Sequence, residues 1–238
     1  MRVKAIIFDK DGTLLDFDAF WISVAVGAIS DVIKSVKADD GLTDKFLEAL
    51  GTDRNTASRC GILCSGTYTQ IAEAFYKVLK DEGINIEYAE LKKIVVNAFH
   101  DNIQKGRIVP TCDNICAVFY ELKSRGIKAA VVTTDDRFVT DKCLEELGIK
   151  KFFCRIYTDD GVNPSKPDPY YISRFCEEEG LDPSDILMVG DTRTDMKFAQ
   201  NGGIRSVGVA ADDKGRCLLE GSADFIIHDI SQIFEILE

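Results

Sequence analysis

A chain of 238 residues, 45% hydrophobic and 29% charged, has the make-up of an ordinary globular protein with room for one large domain or two smaller ones. A net charge of −11 argues against nucleic acid or an anionic membrane as partner, and the longest apolar runs are too short to span a bilayer. Met1 leads straight into a strand with no signal-peptide pattern, which points to the cytoplasm.

Ala5-Ile6-Ile7-Phe8 is an unbroken apolar run, as expected of a strand buried on both faces of a parallel sheet. It stops at Asp9 and Asp11, and Gly12 then lets the backbone turn. Residues two apart in an extended segment project to the same side, so the two carboxylates sit together and require a shared proton or a divalent cation. From Asp18 to about Val36 the pattern turns helical, with Phe20, Trp21, Val24, Ala28 and Ile29 at helical spacing. Further helices are expected over Thr43–Leu50, Thr67–Glu82 and Glu87–Asn102, with a polar loop over Gly51–Gly66. An all-helical block after a single strand reads as an inserted domain, residues 16–105, in a core formed by 1–15 and 106–238. Its expected hinges are Leu15–Asp18 and Gln104–Pro110.

The remainder alternates regularly. A helix over Asp113–Arg125 ends at Gly126, and the strand Lys128–Val132 runs into Thr133-Thr134-Asp135-Asp136. A helix over Arg137–Leu147, a strand over Phe152–Tyr157 and a polar loop over Thr158–Ser165 lead to Lys166. Asp168-Pro169 opens the next helix, which reaches Gly180. The strand Asp185–Val189 ends in Gly190-Asp191-Thr192-Arg193-Thr194-Asp195, and its helix stops at Asn201-Gly202. Strands over Arg205–Val209 and Phe225–Ile227 and a final helix over Ile230–Leu237 complete the chain. This alternation predicts an α/β fold, a doubly wound parallel sheet with helices on both faces.

Asp9 and Asp11, Thr133, and Asp191 with Asp195 each follow the C-terminal end of an apolar strand, and Lys166 lies on the loop after another. In a parallel sheet those ends share one edge, so the groups converge on one crevice. Asp9, Asp191 and Asp195 are hard oxygen ligands suited to magnesium. Lys166 supplies positive charge against a phosphoryl group, which the acidic chain otherwise repels, and Thr133 adds a hydroxyl beside backbone N–H donors.

Asp9-Lys10-Asp11-Gly12-Thr13 resembles the first motif, DxDGT, of the haloacid dehalogenase-like hydrolases, most of which are magnesium-dependent phosphatases. The resemblance extends over the whole chain, with the helical block in the place of the family's cap. It implies that Asp9 is a nucleophile forming an aspartyl-phosphate. Asp11 is then the general acid/base and also a magnesium ligand through its backbone carbonyl. Thr133 and Lys166 match the second and third motifs, and Asp191 with Asp195 the fourth, GDxxxD. Asp195 either binds the metal through water or holds Lys166. Thr134 stands where many relatives have asparagine, and Lys10 is expected to point out into the cap interface and help attract the anion.

Similarity to phosphoglycolate-phosphatase-like members implies a small phosphorylated metabolite as substrate. In the helical block Phe17, Asp18 and Trp21 are candidates to face it, and Arg54 and Arg59 to bind a second anionic group. A phosphosugar mutase would keep the same residues, and a phosphate-binding regulatory protein would not need Asp11. A dehalogenase needs neither magnesium nor Asp11, and a transport ATPase needs transmembrane helices. The eight cysteines include Cys60/Cys64 and Cys112/Cys116, spaced to share a helix face, but free thiols are expected in preference to a zinc site. His100 and His228 carry no motif. Oligomeric state is left open.

Overall fold

The computed structural model describes residues 3–58 and 61–237. The chain divides into two compact units, Met1–Asp16 with Ile108–Glu238 and Phe17–Arg107. The breaks fall within two residues of those expected from sequence.

Strand β1 (Ala5–Phe8) is wholly buried. The chain then enters the helical unit through a π-helical turn, Asp18–Ile22, that continues into α1 (Ser23–Val36). The helix α2 (Thr43–Ala49), the single turn α3 (Ile62–Ser65), α4 (Tyr68–Asp81) and α5 (Tyr88–Ile103) follow. α3 lies in the stretch read from sequence as loop, because four residues carry no readable helical period. Thr67 caps α4 through a reciprocal capping box with Gln70, which fixes where that helix starts. α1 packs along α5, burying Val24, Ala28, Ile29 and Val32 in a core shared with Leu91, Val95 and Phe99. Phe46 and Phe75 add a ring contact at 4.5 Å.

The expectation that no apolar run is long enough to cross a bilayer needs correction. Asp18–Val36 forms one continuous helical stretch of 19 residues that meets the length and composition for a span. Its apolar side, including Phe20, Val24, Ala28 and Ile29, is the side packed inside the helical unit.

The α/β unit resumes with α6 (Ile115–Ser124), β2 (Lys128–Val132), α7 (Arg137–Glu146), β3 (Phe153–Tyr157) and α8 (Tyr170–Glu179). It ends with β4 (Ile186–Gly190), α9 (Arg193–Asn201), β5 (Arg205–Val209), α10 (Asp213–Leu219) and β6 (Phe225–Ile227). α10 is absent from the sequence reading, being short and charged in its first turn. The expected final helix is instead a 3₁₀ segment, Ile230–Glu235.

The six strands form one parallel sheet in the order β3-β2-β1-β4-β5-β6. β1 alternates its side chains between two helical layers. Ala5 and Ile7 join the core under α8 and α9, while Phe8 on the opposite face meets Phe119 of α6 at 5.3 Å. That two-sided burial is why the strand sequences read as continuous apolar runs. β1 lies between β2 and β4, with Phe8 in register with Val131 and Val189. The strand order reverses at β1, so the segments leaving β1, β2 and β4 open onto the switch-point crevice.

At the β3 edge, Glu178 of α8 accepts from Arg174 Nε at 2.7 Å, Tyr157 Oη at 2.9 Å and Arg155 Nε at 2.7 Å. Arg174 first, then Tyr157 and Arg155, hold its carboxyl down at about 2, against the cost of burial. A depressed carboxyl stabilises the fold above its unfolded pKa, and that contribution disappears as pH falls through the folded value. Glu178→Gln is expected to cost about 1 kcal/mol near neutrality, allowing for solvent screening, which is roughly 2–4 °C in Tm for a chain of this size. Thermal melts between pH 6 and about pH 2.5 should show the difference from the parent narrowing with acid; a difference that holds constant with pH would contradict the assignment.

Candidate active site

The turn after β1 is tied down on both sides. Asp9 N donates to Val189 O of β4 at 2.8 Å, Leu14 N to Lys10 O at 2.8 Å, and Gly12 N to Leu15 O at 2.8 Å. Gly12 has φ +78°, and the Asp191 carboxylate occupies the space a Cβ there would need. Glycine is therefore required twice over, by backbone conformation and by the approach of Asp191. Thr13 is buried, and its backbone carbonyl accepts from Thr111 Oγ1 at 2.6 Å.

The segment after β4 carries the other two aspartates. Thr192 is the N-cap of α9, and Asp195, at the third helical position, folds back on it. Asp195 Oδ2 accepts from Thr192 N at 3.1 Å and from Thr192 Oγ1 at 2.5 Å. This capping box turns Asp195 toward the strand end, where its Oδ1 faces Lys166. Gly190 leaves room for it, since a Cβ there would run into the Asp195 side chain.

Lys166 is buried and joins the two segments. Its Nζ donates to Asp9 Oδ1 at 2.5 Å and to Asp195 Oδ1 at 2.7 Å. Asn201 of α9 holds the same loop by donating to Pro167 O at 2.8 Å. Burial works against the charge on Lys166, but Asp195 and Asp9 together outweigh it and raise its pKa, so it remains an ammonium. Asp9 is pushed up to about 7, by burial first and then by Asp195 and Asp11, with Lys166 opposing.

Asp9, Asp191 and Asp195 each offer an oxygen within 4.8 Å of the others. Three carboxylates around one ammonium leave an excess of two negative charges in a largely buried place. A divalent cation with hard oxygen preferences fits that donor set and that charge, and magnesium, which keeps several of its waters, is such an ion.

The remaining expected site residues fall in two groups. Thr133 is buried at the end of β2, where its Oγ1 accepts from Asp135 N at 3.2 Å and keeps its own proton to donate. Thr134 is exposed on the same loop. Lys10 carries its ammonium to two carboxylates of the α/β unit. It is fully buried in the α/β unit, with Nζ 2.6 Å from Asp11 Oδ1 and 2.8 Å from Asp135 Oδ2. Two carboxylates account for this: Asp11 and Asp135 give the ammonium partners within the unit. Arg54, in the helical unit, is exposed and forks onto Asp44 Oδ1 at 2.8 and 3.1 Å. Arg59 lies outside the described residues.

Within the helical unit, Phe17 is buried, Trp21 packs edge-on against Phe20 at 5.2 Å, and Asp18 accepts from Ala57 N at 3.2 Å. The described cysteines are free thiols. Cys112 precedes α6, so it shares no helix face with Cys116, and Cys60 lies outside the described residues. His100 packs against the Tyr68 ring at 5.7 Å.

Asp135 was missed by the sequence reading. It follows Thr133 by two residues, as Asp11 follows Asp9, but it lies in a bend after β2, where spacing alone does not fix the side it faces. Thr192 was legible, as the first residue of a Thr-x-x-Asp cap before a helix.

Gly12→Ala sets a side chain against Asp191 on a backbone that L-residues rarely adopt. It should destabilise the protein by more than about 1 kcal/mol and weaken magnesium binding, read by thermal melts and by calorimetric titration of the ion. An alanine variant with parental Tm and parental magnesium affinity would show that the turn tolerates a Cβ and does not set the Asp191 position.

Comparison with known proteins places the chain in a family. The sequence pattern of haloacid dehalogenase-like hydrolases matches residues 3–203. Pyrophosphatase PpaX of Bacillus velezensis is 27% identical over 99% of this chain and 96% of its own. A predicted phosphoglycolate phosphatase from Haemophilus somnus superposes with a TM-score of 0.71 at 22% identity, over 99% of this chain and 98% of its own. YfnB of Bacillus subtilis, assigned as a HAD-hydrolase and crystallised with magnesium, gives a TM-score of 0.72 at 18% identity over the full length of both chains. With its motifs on the C-terminal edge of a parallel sheet and a family match over most of its length, this chain belongs to the haloacid dehalogenase-like hydrolases.

Proposed function

We propose that the protein is a magnesium-dependent phosphatase of small phosphorylated metabolites in the cytoplasm, acting through an aspartyl-phosphate on Asp9. The observation that carries the reading is the bridge from Lys166 to both Asp9 and Asp195, with Asp191 in ligating range of both carboxylates. A buried carboxylate held by one oxygen on a cation keeps its second oxygen available for attack in line with a leaving group. Asp11, side chain 16% exposed, is the partly open carboxyl group beside it.

In the first half-reaction Asp9 attacks phosphorus, a P–O bond to Asp9 forms, and the P–O bond to the leaving alcohol breaks. Asp11 in its acid form gives its proton to the departing oxygen. In the second half Asp11, now a carboxylate, takes a proton from water as that water attacks phosphorus, and Asp9 is released with inorganic phosphate. Lys166 and the Thr133 hydroxyl hold phosphoryl oxygens. Asp9, Asp191 and the Asp11 carbonyl would hold magnesium, which would supply charge neutralisation at the phosphoryl oxygens when bound. Asp195 has both oxygens engaged, by Lys166 and by Thr192, which favours its role as the holder of Lys166.

The substrate class is a compact phosphate ester or anhydride. Phosphoglycolate and pyrophosphate lead the panel because those compounds appear in the names of similar proteins. Phosphate release should require magnesium and stop with chelator. Asp9→Asn should remove turnover, and Asp11→Asn should lower kcat by about 10²–10⁴ while leaving phosphate binding in place. Isomerisation of sugar phosphates without release would make the protein a mutase instead. Turnover that survives Asp11→Asn would remove Asp11 from the acid/base role.

A further inference from the structure

The two lysines next to the crevice each take two carboxylates. Lys166 takes Asp9 and Asp195; Lys10 takes Asp11 and Asp135. Lys10 is a residue without any exposed surface in a chain of net charge −11, and its side chain reaches past the turn to the loop after β2. A buried ammonium of this kind is stable only with charged partners on several sides, and here the partners come from two different segments.

The second partner is itself anchored. Asp135 N donates to Thr133 Oγ1 at 3.2 Å, and its carbonyl accepts from Asp159 N at 2.9 Å, in the loop after β3. Cys143 of α7 is also buried, close enough to Lys10 to feel its charge. Asp135 is thus fixed by its backbone with its carboxyl against both Lys10 and Asp11; burial first and then Asp11 push that carboxyl up to about 7, with Lys10 opposing, and Lys10 lies between the two. The Asp11 side chain, by contrast, belongs to a short turn and is partly open on its other side.

We propose that Lys10 and Asp135 are positioning residues that hold the Asp11 carboxyl in its working direction, Lys10 directly and Asp135 by fixing Lys10. The proposal rests on the reading of Asp11 as the acid/base. Neither residue is assigned a proton-transfer or nucleophilic step; Lys10 acts through its contact with Asp11 Oδ1. Without the ammonium, Asp11 would be left beside Asp135 and Asp9 with like charge on both flanks, and its carboxyl would turn away from the leaving oxygen. Misplacement of an acid/base by about 1 Å is enough to lower turnover by about 10²-fold.

The test uses the full chain with magnesium and p-nitrophenyl phosphate as probe. Asp135→Asn keeps the shape of the side chain and removes its charge; it should lower kcat by about tenfold with KM and magnesium affinity within about twofold of the parent. Lys10→Met should lower kcat by about 100-fold in the parent. In the Asp11→Asn background the same Lys10→Met change should have little effect, because the group it positions is already gone.

A purely structural role would lower Tm and leave kcat per folded site unchanged, and its effect would add to that of Asp11→Asn. Parental kcat in folded Asp135→Asn, or additivity in the double variant, would overturn the proposal. If Lys10→Met does not fold, the near-isosteric Asp135→Asn decides by itself. Full activity of Asp11→Asn would instead defeat the reading of Asp11. Loss of activity in Asp11→Asn with both positioning variants at parental kcat defeats only the positioning role.

Discussion

Crowding of carboxylates at the C-terminal edge of the sheet is the constraint around which the rest of the α/β unit is arranged. Asp9, Asp191 and Asp195 bring oxygens within 4.8 Å of one another in a mostly buried place. Like charges at that range in a medium of low polarisability are costly unless cations stand between them. Lys166 is the cation the chain itself provides, and it is held at the centre of the cluster by the two carboxylates it relieves. The remaining charge is suited to a divalent ion.

The local structures around this cluster follow from it. Gly12 is required because Asp191 comes so close to its Cα, and Gly190 because Asp195 folds back over it. The capping box of Thr192 and Asp195 does two jobs. It starts α9, and it directs Asp195 to Lys166. Parallel pairing of β1 with β2 and β4 sets the height at which these groups meet, since Phe8 lies level with Val131 and Val189. The long-range negative charge of the chain makes the local cations more consequential, because an anionic substrate approaches a surface that on average repels it.

Much of this was legible in the sequence because burial on both faces leaves a plain signal. The strands at Ala5–Phe8, Lys128–Val132 and Ile186–Gly190 read as continuous apolar runs, and Asp9, Thr133 and Asp191 just beyond them could be placed at one edge from topology alone. Short or polar elements left no such signal. α3 and α10 were too brief to show a period, and the 3₁₀ segment Ile230–Glu235 has the same apolar spacing as an α-helix would have over so few residues. In the site, a lysine is normally solvated, and only the structure shows Asp11 and Asp135 flanking Lys10. Arg54 resolves into an exposed pair with Asp44, a kind of contact that sequence spacing ten residues apart does not predict.

The most direct test of the central claim is chemical trapping of the intermediate. Enzyme mixed with magnesium and a turned-over phosphate ester, quenched in acid within one turnover and mapped by mass spectrometry, should carry a phosphoryl group on the peptide containing Asp9. That adduct should be cleaved by hydroxylamine, as an acyl phosphate is. Steady turnover with no phosphoryl group on that peptide, or with one on another residue, would contradict Asp9 as the nucleophile and with it the account of why these carboxylates are gathered at the sheet edge.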